Sequence, residues 1–307
     1  MKINGNLLIT GGSGSLGKAI VERAERDDWN CNITIYSRSE LNQARMRAKH
    51  PQLRYVLGDI RDYDRLQAAI AGHDVVIHAA AMKRIPEAEE QPYECYQSNV
   101  QGSKNVARAC MDAGVVRCVA ISTDKACQAV TAYGASKLMM EKIFQAQPNR
   151  PTTFSLVRYG NVVASNGSVI PIWREQAKQG HPVKITDIRC TRFWMSLDMA
   201  VDLLERALEQ PAGTILVPKM GKLNLAVLAR LVAPGAPLVE MGFRSCEKLH
   251  EDLVHEDEVA LDMANHYLIG RGYTGLKYTS DMAPDIAPET FMEWLTEAEE
   301  REAHVQH

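Results

Sequence analysis

A glycine-rich turn near the start of the chain constrains the fold more than any other feature. The apolar run 6–10 leads directly into a turn in which Gly11, Gly14 and Gly17 recur every third residue. Residues 18–24 then follow with helical periodicity. A strand, a glycine-rich turn and a helix in this order are typical of a dinucleotide-binding unit. We expect Gly11 to allow a tight turn, Gly14 to admit a pyrophosphate, and Gly17 to let the helix pack close to the sheet.

Strand-like and helix-like segments alternate through the first half of the chain. Further apolar runs lie at 32–36, 53–57, 74–78, 118–121 and 154–158. This alternation predicts an α/β protein with a Rossmann-type, doubly wound parallel sheet.

The alternation fades after the sixth strand, which divides the chain into two parts. We assign residues 1–160 to dinucleotide binding and 161–307 mainly to a smaller α/β substrate-binding part, some of whose segments return to the sheet. We also predict one long helix over about 88–113, and a last helix near 289–300 followed by a solvated tail.

Composition excludes several classes of function. The 307 residues carry a net charge of −3, which gives no indication of binding to nucleic acid or an anionic membrane. No apolar run reaches the roughly 18 residues that span a bilayer. The seven cysteines form no Cys-x-x-Cys pair, and the nine histidines show no metal-ligand spacing. We therefore expect reduced cysteines, no metal and a cytoplasmic protein.

The residues after the second strand bear on the choice of cofactor. Ser37 and Arg38 stand where an NAD site usually has an acidic residue, although Glu40 is close by. A hydroxyl and a guanidinium suit a 2′-phosphate, because arginine offers a bidentate fork that is always charged. The sequence therefore favours NADP over NAD.

Two pairs of titratable residues predict acid/base chemistry. Asp124 and Lys125 come just after the run 118–121, at a strand end where open α/β sheets bind ligands. Tyr133 and Lys137 are four residues apart and share one face of a helix. An ammonium beside a phenol lowers the phenol pKa and makes it a proton acceptor for a sugar or alcohol hydroxyl. Either pair alone occurs by chance in helices and surface turns, but together they indicate two proton transfers.

Several motifs together resemble the extended short-chain dehydrogenase/reductase superfamily. They are the glycine turn at 10–17, Asp59-Ile60, the segment 78–81, Asn99 and the Tyr133/Lys137 pair. Further motifs look like the UDP-N-acetylglucosamine 4,6-dehydratase group, which serves pseudaminic acid and polysaccharide synthesis. They lie at 78–86, 122–125, 158–162, 167–171 and 191–193. The resemblance covers residues 6 to about 260.

Tyr133 places the chain within that group. The long, membrane-bound members carry methionine at this position, whereas the short members carry tyrosine and invert the sugar at carbon 5. The resemblance implies that Tyr133 takes the proton of the sugar 4-hydroxyl and that Thr123 hydrogen-bonds the sugar. Asp124, if protonated, would donate to the departing 6-hydroxyl. Lys125 would remove the carbon 5 proton, provided that its pKa is depressed.

The resemblance also implies the binding partners. NADP would be tightly bound and regenerated in each turnover, the substrate would be a UDP-sugar, and the chain would form a homo-oligomer, either a dimer or a hexamer. The residues expected at the cofactor are Gly11, Ser13, Gly14, Ser15, Leu16, Gly17, Ser37, Arg38, Asp59, Ile60, Ala79, Ala80, Ala81, Lys83, Asn99, Tyr133 and Lys137. Those expected at the substrate are Lys83, Asn161, Asn166, Gly167, Ser168, Val169, Arg192, Arg244, Glu247 and Lys248.

Other functions remain open from the sequence. An NADP-dependent epimerase or ketosugar reductase would need the Tyr133/Lys137 pair, with a hydroxyl near Thr123, and would leave Asp124 and Lys125 without a role. A 5,6-dehydratase is a related alternative. A non-enzymatic NADP sensor would bind the cofactor and turn over no sugar nucleotide.

Overall fold

A computed structural model describes residues 3–147, 151–163, 168–243 and 246–306 of the chain. The strands within these residues are β1 (Gly5–Thr10), β2 (Cys31–Ser37), β3 (Arg54–Leu57), β4 (Val75–His78), β5 (Arg117–Thr123), β6 (Thr153–Tyr159), β7 (Asn161–Val162), β8 (Val183–Ile185), β9 (Thr191–Met195), β10 (Thr214–Pro218), β11 (Gly221–Asn224), β12 (Leu238–Glu240), β13 (Asp252–Val254), β14 (Ala260–Asp262), β15 (His266–Ile269) and β16 (Tyr278–Thr279). The α-helices are α1 (Ser15–Arg26), α2 (Glu40–Lys49), α3 (Tyr63–Ile70), α4 (Ile85–Glu90), α5 (Pro92–Tyr96), α6 (Gly102–Asp112), α7 (Ala132–Gln145), α8 (Val169–Lys178), α9 (Leu197–Ala207), α10 (Leu225–Val232) and α11 (Pro288–Gln306).

The main sheet confirms the predicted Rossmann-type topology. In the part of the chain that the structure describes, nine strands pair in the order β14-β15-β10-β6-β5-β4-β1-β2-β3. All pairs from β3 to β10 are parallel, and only β15 and β14 run antiparallel to their neighbours. The strand order reverses between β1 and β4. Open α/β sheets bind ligands in the crevice at the carboxyl ends of such strands.

Helices on both faces of the sheet bury its central strands. Leu7, Leu8 and Ile9 of β1 are fully buried, as are Val119 and Ala120 of β5. Strands covered on both faces are continuously apolar, which is why these segments read as unbroken hydrophobic runs in the sequence. Rigid packing of this kind fixes the position of the polar residues that follow each strand.

The prediction of one long helix over 88–113 is wrong. The segment contains α4, α5, a π-helical turn over Gln97–Gln101, and α6. Pro92 breaks the first part, because proline has no N–H to donate and disfavours helical geometry in the residue before it. Gln91 accordingly has φ −130° and ψ 61°.

The remaining elements form a second lobe over the carboxyl edge of the sheet. It contains the small sheets β11-β9-β7, β12-β8 and β13-β16. A separate apolar core holds it together, with Trp173, Trp194 and Phe291 among its buried members. Helix α11 continues past residue 300, where a solvated tail was expected. Arg301 holds it to the sheet layer by ion pairs with Glu22 and Asp198.

A buried ionic cluster connects the sheet, α7 and the second lobe. Arg158 on β6 is 1% exposed, and its guanidinium donates to both carboxylate oxygens of Glu141 at 2.9 and 2.7 Å. It also donates to both oxygens of Glu258 at 2.8 Å and to the carbonyl of Leu253 at 2.9 Å. Glu141 accepts a further bond from Ser122 at 2.6 Å. All five guanidinium N–H groups are thus satisfied away from water.

His78 at the end of β4 predicts acid sensitivity of the fold. Its ring bonds the hydroxyls of Thr10 at 2.8 Å and Ser103 at 2.9 Å. Burial, assisted by the positive charge of Lys137, lowers the His78 pKa from 6.5 to about 3. Between pH 6.5 and about 3 the unfolded state binds a proton at His78 that the folded state does not bind. The free energy of unfolding therefore falls as the pH drops through this interval, by up to about 1.4 kcal/mol per pH unit.

Urea unfolding at several pH values measures this effect. The His78→Asn variant is expected to lose less stability than the wild type across that interval. Equal pH slopes for the two proteins would contradict the assignment to His78.

Candidate active site

A cleft of about 1180 Å³ lies between the carboxyl ends of the central strands and the second lobe. Most of the predicted site residues line it. These are Gly11, Ser13, Gly14, Ser15, Leu16, Ser37, Arg38, Asp59, Ile60, Ala79, Ala80, Ala81, Lys83, Thr123, Lys125, Tyr133, Lys137, Asn161, Ser168, Val169, Arg192, Glu247 and Lys248. Gly17, Asn99 and Asp124 lie behind the cleft wall, while Asn166, Gly167 and Arg244 fall outside the described residues.

The glycine turn has the close packing that its sequence predicts. Gly11 has a φ of +67°, and a Cβ there would lie 2.8 Å from the backbone of Ala80. A Cβ on Gly17 would lie 2.0 Å from the carbonyl oxygen of Gly12. Both positions therefore require glycine, and α1 can begin close against β1 and β4.

The N-terminus of α1 fits a phosphate group. Gly14 is its N-cap and provides no side-chain cap, and no acidic residue lies in the first turn. The buried hydroxyl of Ser15 has no hydrogen-bond partner among the described residues. Open backbone N–H groups, an unpaired hydroxyl and the helix dipole together favour an anion such as a dinucleotide pyrophosphate.

The end of β2 supplies a cation to the same cleft. Arg38 is well exposed and lies 3.5 Å from Asp59, whose carboxylate is also bound by Arg61 at 2.8 Å. The Ser37 hydroxyl is already engaged by Ser13 at 2.9 Å and Gln43 at 3.0 Å. Among these residues, Arg38 is therefore the one whose exposed guanidinium can bind a further anion.

Asn99 has a different place from the one expected. It is 1% exposed and lies on the π-helical turn, away from the cleft surface. Its amide accepts from the N–H of Met82 and donates to the Met82 carbonyl, each at 2.8 Å, and it donates to Ser136 at 2.9 Å. Asn99 thus anchors the segment that follows β4.

Tyr133 and Lys137 both lie on α7, but they do not form the expected pair. Lys137 donates to the carbonyl of Ile121 and lies 3.0 Å from the sulfur of Met140. Burial lowers the Lys137 pKa to about 8 and raises the Tyr133 pKa to about 12. Lys125 is the cation that opposes the rise in the Tyr133 pKa, and the Tyr133 phenol hydrogen-bonds Thr123. Lys125 is thus placed to favour the Tyr133 phenolate, and the role of Lys137 in ionising the phenol stays a prediction.

Asp124 is sealed beneath the cleft, at the start of a single 3₁₀ turn after β5. It is fully buried, and its Oδ1 accepts from Thr123 and Lys125, each at 2.9 Å. Its Oδ2 has no partner within the described ranges. Burial raises the Asp124 pKa above its usual value, with Lys125 opposing the shift and Glu251 adding to it. A raised pKa makes Asp124 hold a proton more readily than an ordinary aspartate does.

Lys125 contradicts the expectation of a depressed pKa. Its ammonium lies 2.9 Å from Asp124 and 3.5 Å from Glu251. Burial alone would lower the pKa, and Arg192 acts in the same direction, but the two carboxylates outweigh them and raise it. Lys125 is therefore an ammonium near neutral pH and has no lone pair with which to take a proton.

Glu251 is the site residue that the sequence analysis missed. It lines the cleft, is 5% exposed and precedes β13. Burial would raise its pKa, but Lys125, Arg192 and Lys248 together lower it. A glutamate so far along the chain gives no local signal, and only the folded structure brings it to Lys125.

The predicted substrate residues form the second-lobe wall of the cleft. Val169 begins α8, and the buried hydroxyl of its N-cap Ser168 has no partner among the residues described. Arg192 donates to the carbonyls of Leu249 and Lys248 at 3.1 and 3.0 Å. The Lys248 amine in turn binds the carbonyl of residue 127 at 2.8 Å. Arg192 and Lys248 therefore hold the backbone of the cleft wall in place and also give the wall positive charge.

Two features are absent from the residues that the structure describes. No cluster of three or more metal-ligating side chains was found there. None of the described helices is both long and apolar enough to cross a membrane.

The sheet order, the glycine turn and the Tyr-x-x-x-Lys helix define an extended short-chain dehydrogenase/reductase. A family model described as "Polysaccharide biosynthesis protein" matches residues 7–270. The chain belongs to this family. The resemblance drawn from the sequence motifs is thereby confirmed.

Curated relatives carry two kinds of name. The UDP-N-acetylglucosamine 4,6-dehydratase (inverting) of Campylobacter jejuni is 43% identical over 274 residues, which cover 86% of this chain and 82% of that protein. The UDP-glucose 4-epimerase of Rickettsia bellii is 38% identical over 306 residues, covering 94% and 90%.

Solved structures show the same fold. Pen from Bacillus thuringiensis superposes with a TM-score of 0.88 at 30% identity, covering 96% of this chain and 98% of its own. DesIV, a dTDP-glucose 4,6-dehydratase from Streptomyces venezuelae, gives a TM-score of 0.72 at 22% identity, covering 80% and 86%.

Proposed function

We propose that the chain is an NADP-dependent UDP-N-acetylglucosamine 4,6-dehydratase that inverts carbon 5. The observation that carries the proposal is the grouping of Tyr133, Thr123, Asp124 and Lys125 at one end of the cleft. An epimerase needs one acid/base group at the 4-hydroxyl, whereas dehydration needs further proton transfers at carbons 5 and 6. The similarity to a relative named for this activity supports the same conclusion.

The residues divide the chemistry between them. Tyr133 receives the proton of the sugar 4-hydroxyl, for which its raised pKa must come down: the Lys125 ammonium favours the phenolate, and the positive charge that bound oxidised nicotinamide would supply acts in the same direction. Bound nicotinamide would supply a hydride acceptor for carbon 4 and a hydride donor for carbon 6. Asp124, whose pKa is raised by burial, supplies the proton with which the 6-hydroxyl leaves as water, and because Asp124 is fully buried the proton passes through Thr123, which bonds Asp124 and lines the cleft. Because Thr123 bonds both Tyr133 and Asp124, its hydroxyl connects the group that gains a proton to the group that loses one.

The cofactor assignment rests on Arg38. In the Arg38→Ala variant we expect about tenfold weaker NADP binding and unchanged NAD binding, because one charge-assisted bond to the 2′-phosphate is lost. Fluorescence titration with both dinucleotides measures this difference. Arg45→Ala, which alters an exposed arginine of α2 outside the cleft, serves as the matched control. Equal losses for the two dinucleotides would contradict the NADP assignment.

Proton NMR of the reaction in heavy water tests the dehydratase. The NADP-loaded protein and UDP-N-acetylglucosamine should give a 4-keto-6-deoxy sugar, with deuterium at carbon 5 and the inverted configuration. A product of unchanged mass that differs only at carbon 4 would identify an epimerase. That alternative is favoured by the relatives named UDP-glucose 4-epimerase at 38% identity.

A further inference from the structure

The 3₁₀ turn that carries Asp124 and Lys125, called the catalytic turn below, is held at its start by the main sheet. Thr123 is the last residue of β5 and pairs in register with Tyr159 of β6. The turn that follows is a single one and ends at Cys127. Because so short a turn has few and poorly aligned hydrogen bonds of its own, contacts from other parts of the chain decide where its side chains lie.

The end of the catalytic turn is held by the second lobe. The Lys248 amine donates to the carbonyl of Cys127 at 2.8 Å, and it also pairs with the carboxylate of Asp252 at 3.2 Å. The side chains of Lys248 and Asp252 are only 16% and 12% exposed. A hydrogen bond from a charged donor is stronger than a neutral one, so this largely buried contact fixes the point at which the chain leaves the turn.

Two further contacts with the segment 248–258 hold the residues at the end of the turn. The thiol of Cys127 lies 3.8 Å from the Glu258 carboxylate, and the side-chain amide of Gln128 donates to the His255 ring. Gln128 has a φ of +46°, a left-handed conformation that costs free energy for residues other than glycine. Such a conformation persists where surrounding contacts impose it, and here those contacts come from the second lobe.

We propose that Lys248 is a positioning residue that holds the catalytic turn from the second lobe, an inference that rests on the proposed 4,6-dehydration. The family resemblance predicts Lys248 at the substrate, and the residue does line the cleft. Its amine, however, is directed to Cys127 and Asp252, and Cys127 comes two residues after Lys125. Lys248 therefore acts on the reaction through the backbone of the turn.

The same segment connects the catalytic turn to the substrate wall of the cleft. Arg192 donates to the carbonyl of Lys248 at 3.0 Å, so a residue expected at the substrate and the residue that holds the turn share one stretch of backbone. A displacement of this stretch would move Lys125 relative to the sugar. Misplacing a reacting group by about 1 Å can cost about 10²-fold in rate.

Lys248→Met in the NADP-loaded protein tests the proposal with UDP-N-acetylglucosamine. The variant keeps an apolar stem and removes the amine, so we expect kcat for dehydration to fall by about 10–10²-fold. KM, and the affinity for UDP measured by calorimetry, should stay close to the wild-type values, because the amine does not bind the substrate. Lys248→Arg keeps a charged donor for the Cys127 carbonyl and should recover much of the lost rate, which a merely space-filling role would not require.

Gln128→Gly tests the neighbouring contact in a variant that has no reason to unfold. Glycine adopts the left-handed conformation freely, but it no longer reaches His255. We expect kcat to fall by about two- to tenfold, which is the contribution of one hydrogen bond, with KM unchanged. Lys178→Met removes an exposed lysine outside the cleft and serves as the matched control, which should dehydrate the sugar at the wild-type rate.

Two results would overturn the role given to Lys248. One is a loss of UDP affinity in Lys248→Met as large as its loss of kcat, since the amine would then be a ligand of the substrate phosphates. The other is dehydration at the wild-type rate by either Lys248→Met or Gln128→Gly. Failure of the wild-type protein to form the 4-keto-6-deoxy sugar would instead refute the proposed function itself.

Discussion

Replacing Tyr133 with phenylalanine is expected to slow oxidation of the sugar by about 10²–10⁴-fold, because the group that accepts the 4-hydroxyl proton is lost. The variant keeps the ring that fills this buried position. It should therefore bind cofactor and substrate without forming reduced nicotinamide. Stopped-flow absorbance of the NADP-loaded protein, mixed with UDP-N-acetylglucosamine, measures this step directly.

Tyr93→Phe is the matched control for this prediction, since Tyr93 is 69% exposed and lies outside the cleft. It should oxidise the sugar at the wild-type rate. Rapid formation of reduced nicotinamide by the Tyr133→Phe variant would show that another group takes the 4-hydroxyl proton.

Replacing Arg158 with methionine is expected to destabilise the fold by about 3–5 kcal/mol. The side chain of Glu141 is 0% exposed, so loss of the guanidinium would leave its carboxylate unpaired away from water. Ser122 would remain as its hydrogen-bond donor, which is too little to replace a bidentate cation. Urea unfolding followed by circular dichroism gives the change in the free energy of unfolding.

Arg108→Met tests whether the loss of stability expected for Arg158→Met arises because the Arg158 ion pair is buried. Arg108 pairs with Asp112 at 3.5 Å on the surface of α6, with side chains 63% and 43% exposed, and its removal should cost less than about 1 kcal/mol. Similar losses for both variants would contradict the special role of the buried cluster.

Local sequence signals were sufficient for the first six strands of the sheet and for the glycine turn. The run predicted at 6–10 appears as Gly5–Thr10, and the run at 154–158 as Thr153–Tyr159. Most residues in the middle of these strands are apolar because both faces of the sheet are covered, so no distant contact is needed to recognise them. The helix over 88–113 failed for an equally local reason, since the effect of Pro92 was overlooked.

The charges of the site depend on contacts that local sequence does not contain. The pKa of Lys125 is raised by Glu251, which comes from a segment of the second lobe far along the chain. The Lys137 amine binds a backbone carbonyl of β5, a contact that its spacing from Tyr133 does not reveal. Residue types and their order were therefore predictable, whereas their protonation states required the fold.

The return of the chain to the main sheet limits how this protein can be divided. β10 and β15 belong to the sheet, yet they follow the segments that build the lobe. A fragment ending at residue 160 would leave β6 as an open edge, with the backbone that normally pairs with β10 free to associate with other chains. We therefore expect sugar specificity to be exchangeable between relatives only by transplanting inserted loops, because a swap of entire C-terminal halves removes strands that the cofactor half needs in order to fold.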